Sequence, residues 1–131
     1  MKHRLSFAYF NKLSGNILEV VVDDGIEMTL EMVEECHEFI ATHFSHEFGI
    51  LINRVNNYTY AYEAKLSVAS YEKLKAIAFV YYSQEGKLIT EKLTKARSCD
   101  LWNFRVFSGL ELGWQQAYHW LLQEMIPIKI S

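Results

Sequence analysis

Hydrophobic and polar positions along the first third of the chain predict two strands and a helix. Short strand patterns cover residues 5–10 and 17–22, and the turn-forming Ser-Gly-Asn sequence at 14–16 indicates a hairpin between them. From Thr29, which can act as an N-cap, to about residue 44, apolar residues recur at steps of three and four. One face of that helix is therefore expected to pack on a sheet.

The remainder of the chain alternates between strand and helix patterns. Nearly continuous apolar runs at 48–55 and 75–82 are typical of central parallel strands, and residues 101–107 alternate as a half-buried strand does. Helical patterns follow these strands, at 58 or 59 to about 71, at 87 to about 96, and from 110 to a point before Pro127. The order β-β-α-β-α-β-α-β-α predicts an α/β fold, with helices packed on a mixed, mostly parallel sheet through right-handed crossovers.

Length and composition add the expected number of domains. The chain has 131 residues, of which 50% are hydrophobic and 22% charged, and this mixture fills the core of one domain of ordinary size. We expect residues 1–131 to form a single domain, with a core over about 5–123 and a tail over 124–131.

Charge and cysteine content exclude several classes of function. Thirteen Lys and Arg against 16 Asp and Glu give a net charge of -3, without a basic block, so a nucleic-acid partner is not expected. The apolar runs are shorter than the roughly 20 residues of a membrane span, and the N-terminus lacks a signal-peptide pattern. Cys36 and Cys99 have no metal-type spacing. The sequence therefore predicts a cytoplasmic protein with reduced thiols.

This succession of elements, with Asp24-Gly25 linking the hairpin to the first helix, resembles the STAS domain, in particular the SpoIIAA-like family of small bacterial proteins. The resemblance covers about residues 5–123 and rests on the order and lengths of the elements. It implies a small cytoplasmic regulatory or binding domain that acts through partner proteins or small ligands.

The resemblance also implies where a regulatory switch would lie. The family's anti-sigma-factor antagonists carry a phosphorylatable serine at the start of the second helix, in an Asp-Ser-Ser-Gly type motif. The matching residues 53–60 read Asn-Arg-Val-Asn-Asn-Tyr-Thr-Tyr, without serine or glycine. Thr59 is the one aliphatic hydroxyl there and is the candidate switch, because a phosphate at a helix N-terminus would meet unpaired N–H groups.

Three tyrosines lie within five positions at the same strand-to-helix junction. Ligands of open α/β sheets bind outside the carboxyl ends of the parallel strands, and tyrosine gives partner surfaces and pockets a rigid ring with a polar tip. The alternative is that one tyrosine packs on the sheet and another covers a loop. The predicted binding site, for a partner or a ligand, comprises Asn56, Asn57, Tyr58, Thr59, Tyr60 and Tyr62.

Other chemistry-bearing residues have simpler explanations. His43, His46 and Glu47 fall at the end of the first helix, where histidine is favourable near the negative dipole end. Cys36 and His37 are neighbours on a helix, so their side chains diverge by about 100 degrees. The glycines show no phosphate-loop spacing. We therefore expect no catalytic residue, no metal site and no cofactor.

Two functions remain. The first is a non-enzymatic STAS-like regulatory or protein-interaction module that binds a protein partner or itself. The alternative is a carrier or sensor of a small molecule or lipid-like ligand. An interaction module should expose an apolar patch of several hundred square ångströms, whereas a carrier should enclose a pocket of about 300 Å³ or more lined by aromatic and aliphatic side chains.

Overall fold

The computed structural model describes residues 2–126, along which short strands alternate with helices. The strands are β1 (Lys2–Arg4), β2 (Ala8–Ser14), β3 (Ile17–Val22), β4 (Glu27–Met28), β5 (Phe48–Arg54), β6 (Thr59–Tyr60), β7 (Leu74–Tyr81) and β8 (Phe104–Ser108). The helices are α1 (Leu30–His43), α2 (Tyr62–Ser67), α3 (Gln84–Ala96) and α4 (Gly113–Glu124). Short 3-10 turns at Ser98–Asp100 and Gly109–Glu111 flank β8.

The main sheet has the strand order β1-β2-β3-β5-β7-β8. The first three strands are antiparallel, and β3, β5, β7 and β8 are parallel to one another. The predicted α/β class and mostly parallel mixed sheet are therefore confirmed. The predicted element order was incomplete, because β1, β4 and β6 have three, two and two residues and are too short to show a two-residue period.

The helices divide between the two faces of the sheet. Because consecutive parallel strands lie side by side in chain order, right-handed crossovers place their connecting helices on one face. Ile77 and Phe79 of β7 pack with Leu93 of α3 on that face. Ala78 of β7 faces the opposite way and packs with Leu121 of α4. The last helix alone thus covers the second face.

The first helix follows the sequence prediction closely. Thr29 is its N-cap, and the Thr29 hydroxyl accepts a hydrogen bond from the Met32 amide at 3.3 Å. Val33, Cys36 and Ile40 are its buried residues. The apolar period of this segment therefore identified both the helix and its packed face.

The predicted second helix, from residue 58 or 59 to 71, was wrong at both ends. Thr59 and Tyr60 form β6, because the amides of Thr59 and Ala61 donate to the carbonyls of Ile26 and Met28 at 3.0 and 2.8 Å. These partners are distant in sequence, so local helix propensity did not decide the structure.

Other boundaries also differ from the prediction. The strand expected at 5–10 begins only at Ala8, in β2, because a turn in which the Leu5 amide donates to the Ala8 carbonyl at 2.8 Å separates β2 from β1. The strand expected at 101–107 is β8, and the helix expected from 110 begins at Gly113. The expected tail at 124–131 begins with the last residue of α4, and 127–131 lie outside the described residues. Along 2–126, no helix has both the length and the apolar character that crossing a bilayer requires.

The two cysteines provide a test of this packing. Cys36 is buried in α1, and burial raises the pKa of its thiol to about 12, so the thiol stays protonated at mildly alkaline pH. Cys99 is exposed. We expect Ellman's reagent to modify Cys99 rapidly in the folded protein and Cys36 only after denaturation. Rapid modification of both thiols without denaturant would contradict the packing of α1.

Candidate functional site

The predicted binding segment follows β5 at its carboxyl end, and its two asparagines tie it to the loop after β3. The Asn56 side chain donates to the Val22 carbonyl at 2.9 Å, and the Asn57 amide donates to the Asp24 carboxylate at 3.0 Å. The Gly25 amide completes the link by donating to the Asn57 carbonyl at 2.8 Å. Gly25 has a φ of 78°, which glycine adopts without strain. Both asparagines therefore contribute to the fold.

Two of the three tyrosines pack around Arg54. Tyr58 and Arg54 are each 3% exposed, and the guanidinium carbon lies 3.9 Å from the centre of the Tyr58 ring. Arg54 Nη2 donates to the Tyr58 carbonyl at 2.6 Å, and Nη1 donates to the Tyr60 hydroxyl at 3.3 Å. The guanidinium thus contacts both tyrosines, whose rings also meet edge to face with their centres 5.5 Å apart. The signal that could have identified it is the single charge within the apolar run at 48–55.

This arginine has aromatic faces and neutral oxygens as its partners. Among residues 2–126, the ion pairs are Arg4 with Asp23 and Arg97 with Asp100, and Arg54 Nε is buried without a hydrogen-bond partner. Burial, and then the neighbouring tyrosine, raises the pKa of Tyr60 well above its ordinary value. Tyr60 is therefore a neutral phenol at physiological pH. Cation–π contact and charge-assisted hydrogen bonds stabilise the cluster.

The exposed part of the predicted segment consists of Asn57, Thr59 and Tyr62, whose side chain is 68% exposed. Thr59 lies in β6, and the N-cap of α2 is Ala61. Thr59 is therefore two residues before the N-cap and three before the first residue of α2, and the expected contact of a phosphate with a helix N-terminus does not apply to this geometry. The switch at Thr59 and the binding role of the segment remain predictions.

A second exposed surface, which we call the β8 edge, lies at the end of the main sheet. β8 pairs with β7 on one side, and along residues 2–126 no strand pairs with its other side. Its residues Phe104 and Val106 are 38% and 37% exposed. Three leucines that flank the strand are more exposed: Leu101 at 87%, Leu110 at 75% and Leu112 at 70%. The sequence pattern missed this surface, because the alternation at 101–107 indicated a half-buried strand.

Two of these leucines also have an unusual backbone conformation. Leu101 and Leu112 have φ angles of 54° and 61°, and each ends one of the 3-10 turns. The left-handed region costs a residue with a side chain roughly 1–3 kcal/mol, whereas glycine adopts it freely. Backbone strain and contact with water would therefore both favour a smaller residue at these positions. Both leucines are nevertheless exposed, at 87% and 70%.

Close backbone contacts fix the position of this edge relative to α4. A Cβ atom on Gly113 would lie 2.0 Å from the Ser108 carbonyl oxygen, and one on Gly109 would lie 2.2 Å from the Tyr82 ring. On the same face, Trp114 Nε1 donates to the Glu19 carboxylate at 2.8 Å. The β8 edge is therefore presented by a rigid corner of the fold.

The surface also contains open clefts. One cleft of about 340 Å³ is lined in part by Tyr71, Arg97 and Trp102, and another of about 530 Å³ includes His3 and His43. Both are open grooves, and the Arg97 guanidinium in the first donates to Val68, Ser70 and Asp100. Neither has the enclosed apolar form that we expected of a carrier.

The histidines near the end of α1 are explained by their neighbours. His43 Nδ1 lies 2.8 Å from the Phe39 carbonyl, and the two rings stack at 3.9 Å. His46 and Glu47 are exposed. Within the described part of the chain, no group of three His, Cys, Asp or Glu residues could hold a metal ion.

Comparison of the chain with protein-family models, curated proteins and solved structures finds no match. The α/β architecture with a mostly parallel sheet rests on the geometry described above. The resemblance to the STAS domain remains a prediction.

The tyrosines at this junction differ in what their removal should do. Tyr58→Ala should lower the free energy of unfolding by about 3 kcal/mol, since a buried ring is lost. Tyr62→Ala is the matched control and should change it by less than about 0.5 kcal/mol, because that ring is exposed. Urea unfolding followed by circular dichroism measures both. Equal effects would contradict the assignment of Tyr58 to the core.

The corner between β8 and α4 allows a second stability test. Gly113→Ala should lower the free energy of unfolding by about 2 kcal/mol or more, because the added methyl group meets the Ser108 backbone, which cannot rotate away. Gly15→Ala is the control, since nothing lies within 4 Å of a Cβ there. A Gly113→Ala variant as stable as the Gly15→Ala variant, by the same urea titration, would refute the tight corner.

Proposed function

We propose that this protein is a non-enzymatic, STAS-like protein-interaction module that docks its partner on the β8 edge. The observation that carries the proposal is the exposure of Leu101, Leu110 and Leu112 beside β8, whose second side is not paired with any strand of residues 2–126, with two of these leucines in the left-handed backbone region. Exposed apolar groups concentrated at one place are typical of protein contact surfaces.

The chemistry of the β8 edge favours a protein over a small ligand. An open strand edge offers backbone N–H and carbonyl groups to another polypeptide, which can add to the sheet as a further strand. Exposed leucines on either side of the strand would supply apolar contacts to such a partner. A small molecule would need a concave site, and the clefts near Arg97 and His43, like the cleft of about 500 Å³ that Leu101, Trp102 and Phe104 line beside β8, are open to solvent.

The regulatory part of the proposal concerns the exposed residues of the earlier segment. Asn57, Thr59 and Tyr62 are accessible near the carboxyl end of β5, where α/β domains bind ligands. We place a second contact there, in which a modified Thr59 would change affinity through its charge. The resemblance to the SpoIIAA-like family supports this role, and the hydrogen bonds of Asn56 and Asn57 hold the segment in place.

Site-specific photocrosslinking in cells tests the contact at the β8 edge. A benzoylphenylalanine in place of Leu110 should form a protein adduct, because that side chain is 75% exposed beside the strand. The matched control carries the same group in place of His119, an exposed residue of α4, and should form none. Adducts at neither position, or equally at both, would refute the β8 edge as the docking surface.

A double variant, Leu101→Gly with Leu112→Gly, tests the same surface without threatening the fold. Its free energy of unfolding should stay within about 1 kcal/mol of the wild type, since relief of left-handed strain offsets the greater freedom of glycine in the unfolded chain. The adduct from position 110 should be lost. An undiminished adduct would exclude these leucines from the contact.

A further inference from the structure

The orientation of the backbone groups of β8 defines what can pair with the side that no strand of residues 2–126 occupies. The Ile77 amide donates to the Asn103 carbonyl at 2.9 Å, so residue 103 directs its backbone groups towards β7. The N–H and carbonyl of one residue point to the same side of a strand, and successive residues alternate. Residue 105 and residue 107 therefore also face β7. Phe104, Val106 and Ser108 direct their N–H and carbonyl groups outward.

We propose that the β8 edge pairs with the β8 edge of a second copy of this chain, antiparallel, with Val106 opposite Val106 on a two-fold axis. This inference rests on the proposed function and names its partner. In this register, Phe104 of one copy lies opposite Ser108 of the other. All three outward-facing residues of each copy then lie in hydrogen-bonded pairs. In such a pair, each residue donates its N–H to the carbonyl of its partner and accepts a hydrogen bond from the N–H of its partner.

The side chains of the strand fit the same register. Arg105 is the only charged residue of β8. In this arrangement it lies opposite Phe107 of the second copy, so no two charged side chains of the strands face each other. The guanidinium of Arg105 already lies 5.6 Å from the Phe107 ring of its own chain. A second aromatic ring on that face would add a cation–π contact across the interface.

Exposed leucines lie at similar distances before and after Val106. Leu101 precedes it by five positions, and Leu110 and Leu112 follow it by four and six. In an antiparallel pair, the segment before the strand in one copy meets the segment after the strand in the other. Each end of the interface would therefore bring together the exposed leucines of both copies. This match between the two flanks favours a second copy over a partner of unrelated sequence.

The opposite edge of the sheet lacks these features. β1 has three residues, and its exposed Lys2 and Arg4 carry charge, which protects an edge strand against pairing. A β8-to-β8 contact uses the same surface in both copies and closes as a dimer, whereas a β8-to-β1 contact would continue into a filament. Because the paired strands are short, we expect a dimer that dissociates in the micromolar range.

Disulfide trapping in the 131-residue chain tests both the partner and the register. In a Cys99→Ser background, Val106→Cys should form a covalent dimer with oxidised glutathione, because hydrogen-bonded opposite residues have Cα atoms about 5.5 Å apart. Arg105→Cys is the matched control. In the proposed register, residue 105 of one copy lies opposite residue 107 of the other. The two cysteines at position 105 would therefore be offset by two residues along the strands, which is too far apart for a disulfide. Crosslinking by Arg105→Cys as efficient as by Val106→Cys would overturn the register.

A charge pair at the axis provides a second test that needs no cysteine. Val106→Lys and Val106→Glu should each raise the dimer dissociation constant at least about tenfold, because like charges would lie opposite each other. An equimolar mixture of the two variants should recover dimers. Sedimentation velocity over a micromolar concentration series measures this. Dimers in both single variants, or no recovery in a mixture of folded variants, would overturn the proposal.

The outcome for the wild-type chain separates this inference from the proposed function. A monomer at every concentration, together with no covalent dimer from Val106→Cys, would refute the second copy as partner. If the photocrosslink from position 110 to a different protein persisted, the β8 edge would still be a docking surface. Loss of both the dimer and the photocrosslink would refute the proposed function as well.

Discussion

The right-handed crossover between neighbouring parallel strands is the constraint on which this architecture depends. Since β3, β5, β7 and β8 lie side by side in chain order, the crossovers place α1, α2 and α3 on one face of the sheet. The other face would be open to water without α4. The hydrophobic contacts of Ala117 and Leu121 with that face therefore complete the core, and among residues 2–126 no strand pairs with the second side of β8.

Polar groups in this protein hold the connections between elements. Asn56 and Asn57 join the segment after β5 to the loop after β3, and Arg54 fixes the two tyrosines that follow. Arg97 plays a similar part at the end of α3, where it binds the Val68 carbonyl and the Ser70 hydroxyl. Hydrogen bonds to backbone carbonyls satisfy buried guanidinium groups and fix loops that have no regular structure.

The exposed surfaces are products of the same organisation. The segment with Thr59 and Tyr62 is exposed because β6 pairs only with the two residues of β4. The β8 edge is exposed because the chain turns back after Ser108 into α4 and adds no further strand within the described residues. Both surfaces lie on elements held by the core, which suits recognition of a partner without rearrangement.

The sequence by itself determined the class of fold and most of its elements. The hairpin, α1 with its Thr29 cap and the buried strands β5 and β7 were predicted, because in each the hydrophobic period reflects a buried face and local capping or turn residues agree with it. The clearest error of the sequence-based prediction was the helix expected from Tyr58 or Thr59. There, backbone hydrogen bonds from Thr59 and Ala61 to Ile26 and Met28 overrode the local helix propensity.

Only the tertiary structure decided the environment of each candidate residue. Tyr58, Tyr60 and Tyr62 were equivalent in sequence, but the first two contact Arg54, whereas the Tyr62 side chain is exposed. The alternation of apolar and polar residues at 101–107 is the same for a strand at the edge of a sheet as for a half-buried one. Only the order of the strands in the sheet revealed that β8 lies at its edge within residues 2–126. The physical reason is that side-chain period reports burial of a face, whereas pairing and exposure depend on contacts between residues distant in the chain.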